Sequence, residues 1–117
     1  MTDQWFEIEV SEGCSLDHPG IYLWYIGDKP IYAGQSVRLR GRISDYRRNV
    51  HKRQDGRKYH IPGRDFRKVH ERLFEAKQVG HAIKVVVVEN CRREEINARE
   101  RFWIAYVADS STTAETE

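Results

Sequence analysis

Two short apolar runs with a tight break between them constrain this 117-residue chain more than anything else in it. Ile21 to Ile26 is apolar and aromatic, and Ile31 to Ala33 is apolar again. Between them, Gly27, Asp28 and Pro30 are turn formers. Residues of that kind at that separation form a β-hairpin. Gly34-Gln35-Ser36 then leads out of the return strand, with Ser36 placed to cap a helix over 36–50. The rest of the chain has to pack around this hairpin.

Apolar periodicity supplies the other elements. Leu39, Ile43, Tyr46 and Val50 step by four, three and four, the stripe of a half-buried helix. Arg42 falls on or beside that stripe and needs a partner, either an acidic side chain or a bound phosphate. Gly41 costs about 1 kcal/mol inside a helix. A close backbone or a nucleic acid strand would explain it. Phe66, Val69, Leu73 and Ala76 mark a second helix over 64–79 that stops at Gly80. In that helix His70 reads as a surface or boundary residue. Ile83 to Val88 is β-branched and suits a central strand buried on both sides. Trp5 to Val10 alternates, with Phe6, Ile8 and Val10 on one face and Glu7 and Glu9 on the other, as in a half-buried edge strand. A last helix over about 92–107 carries Ile96, Glu100, Trp103 and Val107 in one stripe. Glu100 is a carboxylate among apolar positions, and an ion pair or a metal would satisfy it. Residues 109–117 are polar and read as a disordered tail. The expected architecture is a single α/β (α+β) domain over 1–108, a small, largely antiparallel sheet of three to four strands flanked by helices.

The net charge of +2 hides an uneven distribution. Residues 38–72 hold thirteen of the twenty Lys and Arg but only four Asp or Glu, a local charge of +9 against −7 elsewhere. Such a segment is either a polyanion-binding face or a solvated surface. Its loop from His51 to Gly63 is polar and basic, a candidate DNA-contacting flap whose cations would bind phosphates. No apolar run approaches the ~20 residues of a membrane helix, and the start of the chain lacks the pattern of a signal peptide. Cys14 and Cys91 have no metal-ligand spacing and read as reduced thiols of a cytoplasmic protein.

Four of these features stand in the order of the GIY-YIG nuclease family. Gly20-Ile21-Tyr22 matches the first half of its signature letter for letter. Tyr32-Ala33-Gly34 matches the second half, with Ala at a position that is usually Ile or Val. Arg42 lies eight residues after Gly34, as the family's catalytic arginine does, and Glu100 precedes Trp103-Ile104 as its late-helix glutamate does. The chain thus resembles that family from Gly20 to Ile104, and the resemblance implies a GIY-YIG-like fold. It also implies a metal-dependent endonuclease that leaves a 5′-phosphate and a 3′-hydroxyl on DNA. Glu100 would hold Mg²⁺ or Mn²⁺, and Arg42 would contact the phosphate. Tyr22 would act near the nucleophilic water, and Tyr32 would position water or phosphate. His60 lies in a loop where some members carry a proton-shuttling histidine. Gln35, Ser36, Arg38 and Arg40 at the helix start, and Lys52, Arg53, Arg57 and Lys58 in the basic loop, would contact DNA. For Arg38 and Arg40 plain solvent exposure is an equal reading, and for each tyrosine alone sheet packing is the simpler one. One site cuts one strand, so double-strand cleavage would take a homodimer or two successive nicks. The alternative is a nucleic-acid-binding module that keeps the fold without hydrolysis.

Overall fold

A computed structural model of the chain describes residues 4–57 and 67–116, the last six of these as backbone alone. The elements are β1 (Glu7–Val10), β2 (Gly20–Ile26), β3 (Lys29–Ser36), α1 (Leu39–Gln54), α2 (Lys68–Gln78), β4 (Ile83–Asn90) and α3 (Ile96–Thr116). A single 3₁₀ turn, Arg93–Glu95, leads into α3. The strands form one sheet in the order β1-β4-β2-β3. Strand β2 is antiparallel to both neighbours, and β1 runs parallel to β4. Among the described residues the result is a mixed α/β fold of four strands and three helices.

The hairpin forms where the turn residues place it. Ile26 pairs with Lys29, so the loop is only Gly27-Asp28. Gly27 has φ +61°, and among the described residues no non-glycine residue has positive φ. A glycine of positive φ at the first loop position belongs to a type II′ turn, whose twist matches the strands it joins. Lys29 and Pro30 therefore lie in the strand, not in the loop. Pro30 is tolerated because β3 is an edge strand. Gly20 is required by close packing: a Cβ there would lie 2.3 Å from the Glu89 carbonyl oxygen.

The pairing sorts side chains onto two faces. Tyr22 opposite Gly34 and Val87, and Trp24 opposite Tyr32 and Val85, point to α1 and α2. They join Leu39, Ile43, Tyr46, Val50, Val69, Leu73 and Ala76 in the main core, so both helical stripes bury as periodicity predicts. The other face carries Ile21, Leu23, Ala33 and Val86 under α3, and Ile96 at the start of α3 is buried there as well. Val85, Val86 and Val87 of β4 are buried on alternating faces, as a central strand requires, and Val88 is half-buried.

Several boundaries and burials differ from expectation. Helix α1 starts at Leu39, not Ser36, because Ser36 stays in register with Gly20 and its Oγ accepts the Arg38 N–H at 2.9 Å. Its other end reaches Gln54, so Lys52 and Arg53 occupy the last helical turn, where cations suit the helix dipole. Helix α2 starts at Lys68, and residues 64–66 of the expected helix lie outside the described residues. His70 is buried to 1% exposure, not a surface residue. Strand β1 is at the edge, but all four of its residues are exposed and only Phe6, just before it, is buried. Ile8 and Val10 remain 45% and 38% exposed, because they flank β4 beyond the layer that covers Trp24 and Tyr22. Residues 109–116 continue α3 as helix, not as a disordered tail.

One irregularity has structural weight. Ile21 pairs with Glu89 but Tyr22 pairs with Val87, so Val88 is an extra residue in β4. This bulge turns Glu89 to the α3 side. There its carboxylate accepts from Arg99 Nε at 2.8 and 3.0 Å and from Trp103 Nε1 at 2.9 Å. The Arg99 hydrogen bond outweighs burial and holds the Glu89 carboxyl below its ordinary range.

Two predictions follow from these contacts. A carboxyl with a depressed pKa adds stability above its unfolded pKa and loses it as pH falls through the folded pKa. Glu89→Gln should therefore cost about 1 kcal/mol at neutral pH, and its difference from wild type should shrink on acidification, as urea unfolding at several pH values will read. Gly41 is helical with nothing within 4 Å of an added Cβ. Gly41→Ala should therefore raise stability by about 0.5–1 kcal/mol, and an unchanged or lower urea midpoint would show a constraint on that residue.

Candidate active site

The two halves of the hairpin motif meet through an absence. Tyr22 in β2 lies opposite Gly34 in edge strand β3, and its phenol crosses the space a side chain would fill. A Cβ on Gly34 would stand 2.4 Å from the Tyr22 hydroxyl oxygen. The glycine lets the hydroxyl reach α1, where it meets the Tyr46 hydroxyl at 2.8 Å. Tyr22 and Tyr46 are almost wholly buried, at 1% and 0% exposure. Tyr32, two residues before Gly34 on the same face, is half-buried, with its ring centroid 6.4 Å from that of Tyr22.

Arg67, just before α2, closes the cluster. Its Nη2 donates to the Tyr46 hydroxyl at 2.9 Å and its Nη1 to the Tyr32 hydroxyl at 3.3 Å. The guanidinium also lies 5.3 and 5.9 Å from the ring centroids of Tyr46 and Tyr32, within cation–π range. Beneath it, buried His70 accepts the Arg67 backbone N–H on Nδ1 at 3.2 Å and sets its ring edge against Tyr46.

These contacts pull the phenols in opposite directions. Burial pushes Tyr22 up to about 12. The Tyr46 hydrogen bond and the positive charges of Arg42 and Arg67 act against burial, while Tyr32 adds to it. Tyr46 is raised further, chiefly by burial. Burial alone would lower Arg67, but the three tyrosines together raise it, so it stays protonated.

Arg42 is exposed on the flank of α1, not seated in the buried stripe. It acts on Tyr22 through its charge, and among the described residues it has no hydrogen-bond or ion-pair partner. It therefore presents a free planar fork beside the tyrosine cluster.

Glu100 lies on the other face of the sheet. Helix α3 presents it half-buried to β3, where Gln35 Nε2 donates to Glu100 Oε1 at 3.0 Å and to Asn97 Oδ1 at 2.7 Å. Glu100 is thus satisfied by an amide and not by an ion pair. No contact joins it to Tyr22 or Tyr32. The two groups come closest along β3, whose Gly34 carries the Tyr22 hydroxyl on one face while the next residue, Gln35, carries Glu100 on the other.

Other predicted contacts are distributed differently. Gln35 is engaged by α3 as just described. Ser36 is buried, and its hydroxyl serves the turn before α1. Arg38 is exposed, and Arg40 is exposed but ion-paired to Asp17 at 2.7 Å. Arg53 is not a free flap cation. It binds Glu71 at 2.7 Å and stacks over Phe74 at 4.6 Å, joining α1 to α2. Arg57 pairs with Asp55 at 3.3 Å, and Lys52 is half-exposed at the end of α1. Lys58 and His60 lie outside the described residues.

Among the described residues no three His, Cys, Asp or Glu side chains converge on a point. A magnesium ion does not need them, because it keeps several waters and takes one or two carboxylates. Glu100 and Asn97 supply hard oxygen atoms that face one position, now filled by the Gln35 amide nitrogen. That donor set fits Mg²⁺ or Mn²⁺ if Gln35 swings aside.

Tyr46, Arg67, His70 and Asn97 escaped the sequence reading as site residues. Tyr46 carried a signal, since a tyrosine in a buried stripe brings a hydroxyl that needs a partner. Arg67 read only as one more cation of the basic face, because a long polar segment separates it from the tyrosines it touches. Comparison of the chain with protein-family models, curated proteins and solved structures finds no match.

Gly34→Ala tests the crossing of Tyr22 over β3. The added methyl should displace the phenol, break its bond to Tyr46 and cost about 1–3 kcal/mol. A crystal structure of the variant with the Tyr22–Tyr46 contact intact would contradict this geometry.

Proposed function

We propose that the chain is a metal-dependent endonuclease that hydrolyses DNA phosphodiester bonds. The observation that supports this most is the clustering of Tyr22, Tyr32 and Tyr46 with Arg67, and Arg42 on its flank, at the edge strand that also carries the Gln35–Glu100 contact. Phosphoryl transfer needs a group that accepts a proton from water and cations that take up charge on the phosphate. The phenol oxygens meet the first need and the arginine forks the second. Tyr22 first loses its own proton to solvent, and a water oxygen then attacks phosphorus while its proton passes to the Tyr22 phenolate. The bond from phosphorus to the 3′ oxygen breaks, and that oxygen takes a proton from solvent. The products are a 5′-phosphate and a 3′-hydroxyl. Mg²⁺ or Mn²⁺ at Glu100 would supply Lewis-acid stabilisation of the leaving oxygen.

Arg38 at the N-cap of α1 and Arg42 one turn on are both exposed and supply cations for the DNA backbone. The free thiols of Cys14 and Cys91 suit a reducing, cytoplasmic setting. Among the described residues no helix is long and apolar enough to cross a membrane. Cleavage of both strands would take two copies or two events.

The position of Glu100 favours a second reading. Its hydrogen bond to Gln35, on the face away from the tyrosines, also suits a nucleic-acid-binding module that does not cut. Nicking of supercoiled plasmid separates the two. Wild type should open the circle with Mg²⁺ or Mn²⁺ and not with EDTA, and Glu100→Ala should lose about 100-fold or more in rate. Salt-sensitive retention of DNA with no cutting in either cation would favour the binding module.

The Tyr22 shift also sets a pH dependence. A base whose pKa is raised to about 12 is mostly protonated at neutral pH, so its active fraction grows tenfold per unit as pH rises. Single-turnover cleavage should therefore accelerate through the mildly alkaline range. A flat profile there would remove Tyr22 from the role of base.

A further inference from the structure

We propose that Arg67 is a positioning residue for Tyr22, setting the direction of a buried hydroxyl relay, Arg67 to Tyr46 to Tyr22, that keeps the Tyr22 oxygen ready to receive a proton. The inference rests on the nuclease reading and adds to it a residue that no sequence motif marks.

The direction follows from counting donors. A guanidinium has only donors, so the contact of Arg67 Nη2 with Tyr46 at 2.9 Å uses the Tyr46 oxygen as acceptor. The Tyr46 side chain is wholly buried, and the Tyr22 oxygen lies 2.8 Å from its hydroxyl. The base form of Tyr22 is the phenolate, which has no proton to give and can only accept. Tyr46 therefore donates, and Tyr22 accepts. A phenol oxygen that accepts a hydrogen bond backed by a positive charge is stabilised as phenolate.

Arg67 is held for this task. Its second arm rests on the Tyr32 hydroxyl, and its backbone N–H is fixed by buried His70. The side chain is otherwise exposed, so it can keep its charge and still direct a buried bond. The charged and titratable groups facing Tyr22 are Tyr46 and Arg42 from α1, Tyr32 from β3, and Arg67 ahead of α2. During cleavage the Tyr22 phenolate, its own proton already lost to solvent, takes the water proton, and Arg67 stays charged throughout.

The test is a double-mutant cycle read by single-turnover nicking of supercoiled DNA in Mg²⁺. Arg67→Gln and Tyr46→Phe should each slow cleavage by ~10- to 100-fold, the effect of one to two units in the pKa of the base. Arg67→Lys, which keeps the charge but not the fork, should fall between Gln and wild type. The double variant should be no slower than the slower single one, because both act through one relay. Effects that multiply, or Arg67→Gln cutting at the wild-type rate, would overturn the proposal. If wild type cuts no DNA in any divalent cation, the nuclease reading fails by itself, and the relay is decided by the carbon NMR resonance of Tyr22 Cζ. Arg67→Gln should shift that resonance when Tyr46 is present and scarcely move it in a Tyr46→Phe background. An equal shift in both backgrounds, or none in either, would overturn the relay.

Discussion

The hydroxyl-to-hydroxyl bond between Tyr22 and Tyr46 joins the centre of the sheet to α1, and most of the site depends on it. Two phenols at almost zero exposure cannot leave their polar ends unpaired without loss. Each is therefore fixed by the other. Gly34 is needed because the Tyr22 phenol occupies its side-chain space. Arg67 then adds a charge from outside the core, held in place by Tyr32 and His70. The same contacts that bury these rings make Tyr22 a weak acid, since burial acts more strongly on it than the nearby cations do.

The sheet divides the chemistry. Tyrosines and arginines occupy the face toward α1 and α2, whereas Glu100 belongs to α3 on the other. Strand β3 separates them by a single layer of backbone, and as an edge strand it leaves that boundary open to a partner. A phosphodiester laid along this edge would have cationic forks on one side and hard oxygens on the other. Helix α3 itself is held in place from beneath by Glu89, which binds Arg99 and Trp103. The register of the carboxylate helix thus depends on the bulge at Val88.

Legibility in the sequence tracked locality. The hairpin, the stripes of α1 and α2, the stop at Gly80 and the central β4 strand each depend on residues close in the chain, whose spacing is visible directly. Start points were less legible. Ser36 looked like a helix cap but serves a turn three residues before the helix, because strand pairing with Gly20 holds it longer than local preference suggests. Counting put Arg42 on or beside the stripe, and at about 70° from the stripe's centre it lies beside it, far enough out to reach solvent. Arg53 looked like one more cation of a basic loop, and only its approach to Glu71 and Phe74 shows that it joins two helices.

By itself, then, the sequence determined the elements and the residue types that can do chemistry. Periodicity and turn preference act over a few residues, and side-chain functional groups need no fold to be known. Which of those groups meet was decided by the tertiary structure alone. Tyr22, Tyr46 and Arg67 come from three elements, and Glu100 is kept apart from them by a sheet whose order β1-β4-β2-β3 no local pattern encodes. The physical reason is that face and register depend on how strands pair. One extra residue in β4 was enough to turn a carboxylate from one side of the molecule to the other.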